Sequence, residues 1–306
     1  MILCCGEALI DMVPRVDTEG EACFRPISGG AVFNTAIALG RLGIDTGYFG
    51  GISNDLFGQQ LLDSCESSRV STLYCSPTSK PTTLAFVELT NGHAKYTFND
   101  EGTAGRMLAP SDLPQLGTEV EALFFGGISL VVEPCAQAYE ELLRREHENK
   151  VVMIDPNIRP GFVTDENVFR ERLSRMIALA DIVKLSDEDL QWLLGEGDIE
   201  TLAKQLILSG PKLVFITQGS KGATCYTANH TVFAAAPNVD VVDTIGAGDT
   251  FNAGVLRALS TQGLLSKQAI CSIAADQIEV ALESGVNVSA VTVSRAGANP
   301  PWAHEL

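Results

Sequence analysis

Apolar and polar positions along the chain fall into two alternating kinds of segment. Short, nearly continuous apolar runs read as strands: "MILCCG" (1–6), "TGYFGGI" (46–52), "TTLAFVEL" (82–89), "ALFFGGI" (122–128), "KVVMID" (150–155), "DIVKLS" (181–186), "KLVFITQG" (212–219) and "TVFAAA" (231–236). Helical spacing lies between many of them. "NTAIALGRLG" places Ile37, Leu39 and Leu42 before a closing Gly43, and "PCAQAYEELLRREHENK" gathers Ala138, Leu142 and Leu143 on one face and ends basic, which suits a helix C-terminus. "NVFRERLSRMIALA" and "EDLQWLLG" repeat the theme. Strands alternating with helices of roughly 10–15 residues predict right-handed βαβ units and a mostly parallel sheet, and runs apolar throughout predict that helices cover both its faces. The fold class is therefore α/β.

Two regions depart from this pattern. Residues 11–28 and 82–100 alternate as short strands with no helix between them, and "TTLAFVELTNGHAKYTF" reads as a hairpin around Asn91-Gly92. They predict a small antiparallel lid built from two separate segments and inserted in one domain spanning 1–306. No low-complexity linker or internal repeat interrupts the chain.

Composition narrows the class. The chain of 306 residues is 45% hydrophobic and 19% charged, which is globular, and no run of about 18 apolar residues predicts a membrane span. The start, "MILCCGEALIDMVPRV", lacks a basic region and carries Glu7 and Asp11 early, so it reads as a buried first strand rather than a signal peptide, and a cytoplasmic location is expected. A net charge of −17 repels nucleic acid and anionic membrane. A phosphate compound would have to be bound locally, by backbone N–H groups, a few Lys or Arg, and a divalent cation. The eight cysteines form no C-x-x-C pair and the histidines number four, so a zinc site is not expected and the thiols read as reduced. His93 and His147 read as surface residues and Lys221 as a solvated loop lysine.

The chemistry concentrates in two glycine turns. "VDVVDTIGAGDTFNAG" (239–254) reads strand, turn, helix. Gly246, Ala247 and Gly248 let the backbone approach an anion at a helix N-terminus, where unpaired N–H groups and the dipole attract negative charge. Asp249 at that point could accept a proton from a hydroxyl held beside the anion, the arrangement of phosphoryl transfer to an alcohol. On spacing alone, Asp249 reads equally well as a helix cap. The third glycine of G-x-G-x-x-G would fall where Phe251 stands, which counts against a nucleotide-dependent dehydrogenase, and no G-x-x-x-x-G-K-[ST] occurs. In "SGGAVFNTAIALGRLG" (28–43), Gly29 and Gly30 precede a helix with Asn34 near its start, either a cap or a donor–acceptor pair for a polyhydroxyl ligand.

Taken together, "GGAVFNTAIALGRLG", "DTIGAGDTFNAG" and the strand-rich segments at 11–28 and 82–100 resemble the PfkB family of carbohydrate kinases over essentially the whole chain. "DPNIRPGF" (155–162), "KLSDEDLQWL" (184–193) and "SRAGANPPW" (294–302) look most like bacterial fructokinases within it. The resemblance implies a ribokinase-like three-layer sandwich with a β lid, and an ATP-dependent sugar kinase giving fructose 6-phosphate. It makes Asp249 the base and Gly246, Ala247, Gly248 and the Asp249 amide the anion hole. Asp11, Gly29, Gly30 and Asn34 become sugar contacts. Lys184 and the Ser186-x-x-Asp189 segment match the region that organises Mg²⁺ and phosphate. Thr217, Gly219 and Gly222 match the nucleotide loop, with Asn287 assigned to the same site. Asp243 and Ile245 match carbonyls that hold a monovalent cation such as K⁺. A homodimer through the lid is also implied.

Three departures stand out. The Mg²⁺-associated N-x-x-E is "SDED" here. Ala31 stands where ribokinases often carry Asn. Asn99 and Asp100 replace the tyrosine–arginine pair of many fructokinases, leaving either of them, with Arg159, as the remaining candidate sugar or phosphate contacts. 2-Keto-3-deoxygluconate kinase, ribose or nucleoside kinase, and a non-catalytic sugar-binding regulator are the competing readings.

Overall fold

Strands that are apolar throughout need two covered faces, and the chain supplies them. The computed structural model describes residues 1–90 and 93–306. A fully buried β1 (Ile2–Cys5) leads to β2 (Leu9–Val16) and β3 (Ala22–Gly29), then α1 (Ala31–Arg41), β4 (Thr46–Phe49) and β5 (Gly51–Ser53). Next come α2 (Leu56–Ser67), β6 (Val70–Ser71), β7 (Ser76–Thr78), β8 (Leu84–Thr90) and β9 (His93–Asn99). Strand and helix then alternate through β10 (Ala122–Gly126), α3 (Cys135–Glu146), β11 (Val151–Asp155), α4 (Glu166–Leu179) and β12 (Ile182–Ser186). They are followed by α5 (Asp187–Leu194), α6 (Ile199–Ser209), β13 (Leu213–Thr217), β14 (Ala223–Tyr226), β15 (Thr231–Ala234), α7 (Ala247–Thr261), α8 (Lys267–Cys271) and α9 (Ala275–Val293).

The main sheet has nine strands in the order β15-β14-β13-β12-β11-β10-β1-β4-β6. It is parallel from β6 to β13, and β14 and β15 are antiparallel at one edge. Alternate residues of one strand serve opposite layers. Ile2, Cys4, Phe124 and Met153 join the cluster with α1, α7 and α9, whereas Leu3, Cys5, Phe125 and Ile154 join the one with α3, α4 and α6. This is the α/β architecture the apolar runs predict.

The lid is a four-stranded sheet, β3-β2-β8-β9. It corrects the antiparallel expectation in one respect: each hairpin is antiparallel, but β2 and β8, where the hairpins meet, run parallel. Both hairpins leave the core in the same direction, so their joined strands share it. The Asn91-Gly92 turn lies outside the described residues. Sequence patterning misses β14 and α9. The latter buries Ile278, Leu282 and Val286 and approaches α7 closely at glycines: a Cβ on Gly254 would sit 2.6 Å from the Ser284 carbonyl, and one on Gly285 would sit 2.7 Å from the Phe251 ring.

Candidate active site

The strands β1, β10, β11 and β12 end together beneath the lid, and the N-terminus of α7 faces that edge, where ligands collect in open α/β sheets. The turn before α7 depends on Gly246. It caps the helix at φ +80°, a left-handed conformation, and an added Cβ would lie 2.8 Å from that of Ala298. The Ala247 N–H makes a long bond to the Thr244 carbonyl at 3.3 Å. Among the described residues the N–H groups of Gly246, Gly248 and Asp249 have no protein acceptor, so they are open to an anion.

Asp249 does not cap its own helix. Its Oδ2 accepts from Asn34 Nδ2 at 2.9 Å, and its backbone carbonyl accepts from the Thr35 hydroxyl at 3.1 Å, so α1 fixes the carboxylate from across the cleft. Burial pushes Asp249 up to about 6, against the Asn34 hydrogen bond, with Asp155 adding to the rise and Lys184 and Arg159 opposing it. Burial, then the charge of Asp249, pushes Asp11 up to about 7.

Two cavities meet at this turn. A cleft of about 310 Å³ under the lid is lined by Asp11, Gly30, Asn34, Asn157, Arg159 and Asp249, with Phe98 reaching in from the lid. A more apolar one of about 440 Å³ lies behind it, lined by Thr217, Gly219, Gly222, Val239, Val241, Phe251 and Val293. Thr244, Ala247 and Gly248 line both. The first can take a small polar molecule and the second a flat base, with an anion between them on the backbone amides.

Gly29 stands behind Asp11 rather than in the cleft. A Cβ there would lie 2.3 Å from Asp11 Oδ2, so Gly29→Ala must displace the carboxylate. The expected result is a rise in substrate KM on the order of 10-fold, the worth of a charge-assisted hydrogen bond, with a smaller change in kcat; an unchanged KM in steady-state kinetics would show that Asp11 does not grip the substrate.

The structure separates other candidates. Asn99 is exposed and lies outside the cleft. Asp100 turns the other way and pairs with Arg106 at 3.1 Å, because an arginine six residues on offers it a fixed partner. Asp100→Asn is therefore expected to leave sugar KM within about twofold and to cost about 1 kcal/mol of stability at most, read by sugar titration and thermal melting. Arg159 lines the cleft, but its Nη1 donates to the Ile158 carbonyl at 3.1 Å. Ser186 caps α5, with its hydroxyl accepting from the Asp189 N–H at 2.9 Å. Both Asp189 oxygens accept backbone N–H groups, from Ile158 and Ser186. Asn287 lines a groove with Phe233, Glu279 and Glu283 that adjoins the more apolar cavity, Val286 lining both.

Asp243 accepts from the Ile245 N–H at 3.0 Å and the Gly297 N–H at 2.9 Å. Lys184 is buried with its Nζ 3.0 Å from Asp155 Oδ2, which also accepts from Asn252 Nδ2 at 2.7 Å. That ammonium lies 3.0 Å from where a Gly248 Cβ would be.

Sequence reasoning misses Glu7, Phe98 and Asn157. Glu7 accepts from the Ala31 N–H at 2.9 Å and thereby caps α1, whose own N-cap residue is Gly30; burial pushes it up to about 7. Its signal was the absence of a capping side chain before α1. Phe98 packs edge-on against Phe162 at 4.9 Å, joining the lid to the loop after β11.

Comparison with known proteins agrees with this geometry. The description "pfkB family carbohydrate kinase" matches residues 1–305. A fructokinase of Rhizobium leguminosarum bv. trifolii is 53% identical over 89% of this chain and 84% of its own length. A fructokinase of Xylella fastidiosa, solved with bound ATP, superposes with a TM-score of 0.89 at 29% identity, covering 97% of this chain and 93% of that one. A fructokinase double mutant of Vibrio cholerae O395, solved with fructose, ADP and a potassium ion, gives 0.85 at 26% identity, over 97% and 93%. The chain belongs to the pfkB family of carbohydrate kinases.

Proposed function

We propose that this protein is an ATP-dependent fructokinase that transfers the γ-phosphoryl group to the sugar's 6-hydroxyl. One observation carries the reading: two cavities share the wall Thr244, Ala247 and Gly248, and Asp249 stands on the sugar side of that wall. The substrate hydroxyl gives its proton to the Asp249 carboxylate as its oxygen attacks phosphorus, and Asn34 keeps the carboxylate aimed. Charge growing on the transferring group meets the amides of Gly246, Gly248 and Asp249, which need no reorganisation. Asp11 orients the sugar. Lys184, against Gly248, adds positive potential below the turn.

Among the described residues no cluster of three acids, histidines or cysteines could hold a metal ion. With Asp155 and Asp189 already accepting N–H donors, the site suits a hydrated Mg²⁺ held by nucleotide phosphates, with these two carboxylates facing its waters. Bound there, Mg²⁺ neutralises phosphate charge. The carbonyls of Asp243 and Ile245 are proposed to hold K⁺. One catalytic unit with its lid, a homodimer through the lid edges β3 and β9, and a reducing cytoplasmic setting for the free cysteines complete the reading. No helix of the described residues is long and apolar enough to cross a membrane.

The test is coupled ADP release with fructose, ribose, 2-keto-3-deoxygluconate and adenosine, with the product's phosphorylated position found by phosphorus NMR. Fructose should give the highest kcat/KM and a 6-phosphate. Preference for another of the four would reassign the substrate, and no turnover of any would remove the kinase reading for them.

A further inference from the structure

The anion-hole turn is held from outside by the segment 295–302. The Gly297 N–H donates to Asp243 Oδ2 at 2.9 Å while Asp243 Oδ1 takes the Ile245 N–H at 3.0 Å, so one carboxylate ties that segment to the residue preceding Gly246. Ala298 stands directly against Gly246. The segment is in turn fastened by Arg41, at the C-terminal end of α1. Arg41 Nη1 donates to Asn299 Oδ1 at 2.9 Å and to the Pro300 carbonyl at 3.0 Å, and its Nε donates to the Ser68 hydroxyl at 3.2 Å. Two residues further, the Trp302 ring lies against both Arg41 and Arg69, with guanidinium carbons 5.5 Å and 5.4 Å from its centroid.

Arg69 supplies an independent sign that this clamp is built for a purpose. It follows the end of α2 at φ +62°, a left-handed position where glycine is usual and an arginine is strained. What the arginine offers and glycine would not is a second guanidinium against Trp302. Arg41 also shares a helix with Asn34, which holds the Asp249 carboxylate. One rigid element thus aims the base at its first end and anchors the support of the anion hole at its last.

We propose that Arg41 is a positioning residue for phosphoryl transfer: with Arg69 and Trp302 it clamps the segment 295–302, and that segment sets the Ile245–Gly248 amides in register with Asp249. The inference rests on the kinase reading given above. The loss from a misplaced donor array falls on the transition state more than on the bound sugar.

The experiment begins with wild-type turnover of fructose, which tests the kinase reading by itself. Arg41→Met, Trp302→Ala, Trp302→Phe and Arg69→Gly are then compared with it. Arg41→Met and Trp302→Ala should lower kcat on the order of 10- to 100-fold, the scale of a sub-ångström to ångström misplacement, with sugar KM within about threefold. Trp302→Phe, which keeps an aromatic face, should recover most of the rate. Arg69→Gly separates the clamp from stability: it relieves the backbone, so the melting temperature should hold or rise while kcat falls.

A second measurement does not depend on turnover. The chain has two tryptophans, Trp192 and Trp302, so in a Trp192→Phe background the emission reports Trp302 alone. Arg41→Met should shift that emission to the red, because the ring loses one of its two guanidinium neighbours. If wild type turns over fructose but Arg41→Met and Arg69→Gly keep kcat within twofold, or if Arg41→Met leaves Trp302 emission unchanged, the clamp does not position the anion hole. If wild type turns over no sugar while Arg41→Met still shifts Trp302 emission, the clamp stands and the kinase reading falls.

Discussion

Asp249→Asn is expected to lower kcat by about 10²- to 10⁴-fold with fructose KM little changed, because it removes a positioned base and leaves the cavity's shape intact. The wild-type pH profile should show an acid limb near 6, the value to which burial lifts this carboxylate, rather than near 4. The rate falls as pH drops through that limb because the base gains a proton, and the limb should be missing from the residual activity of the variant. Stability should move the other way. Asp249 ionises at about 6 in the fold but near the ordinary carboxylate value when unfolded, so the folded chain binds the extra proton between those values and loses stability as pH rises through them. At pH 8 the asparagine avoids burying a charge, and the variant should be more stable by about 1–3 kcal/mol in denaturant titrations. A variant that keeps more than a tenth of wild-type kcat would mean that another group takes the proton.

Lys184→Met is expected to cost about 3–5 kcal/mol of unfolding free energy, because it strands Asp155 as an unpaired buried carboxylate. The two side chains are only 4% and 2% exposed and their charged atoms are 3.0 Å apart. Asn252 Nδ2 remains on the same oxygen but carries no charge. The loss of Lys184 should also raise the acid limb of any residual activity, since its charge holds the Asp249 value down. Urea unfolding with a double-mutant cycle through Asp155→Asn separates the pair from its surroundings. A cost below about 1 kcal/mol for Lys184→Met would mean that the pair does not hold the fold as proposed.

Much of this molecule is legible in the sequence because its strands announce themselves. Runs such as "ALFFGGI" and "KVVMID" are apolar on both faces since both faces are covered, and their regular separation by helices leaves few alternative topologies. The glycine turn is legible for a related reason: Gly246 needs positive φ, and few other residues accept it at low cost. What spacing could not supply was direction. Asp249 as cap and Asp249 as base have the same sequence, and only the bond from Asn34, 215 positions away in the chain, turns the carboxylate from its own helix. Asp100 shows the opposite failure: its place after a lid strand suggested a ligand contact, but Arg106 takes it first. Glu7 went unread because it caps a helix 24 residues away, and the missing cap before α1 does not say which residue supplies it. The long helix α9 escaped because Ala281 and Gly285 interrupt the buried Ile278, Leu282 and Val286, which blurs its apolar stripe.

The shared wall of Thr244, Ala247 and Gly248 sets the proposed donor and acceptor on either side of a single turn. A phosphoryl group crossing it makes a single move, directly from one oxygen to the other. The three remaining oxygens then turn inside out about phosphorus as in any one-step displacement, so a γ-phosphate made chiral with oxygen isotopes and sulfur would emerge on the sugar with its handedness reversed.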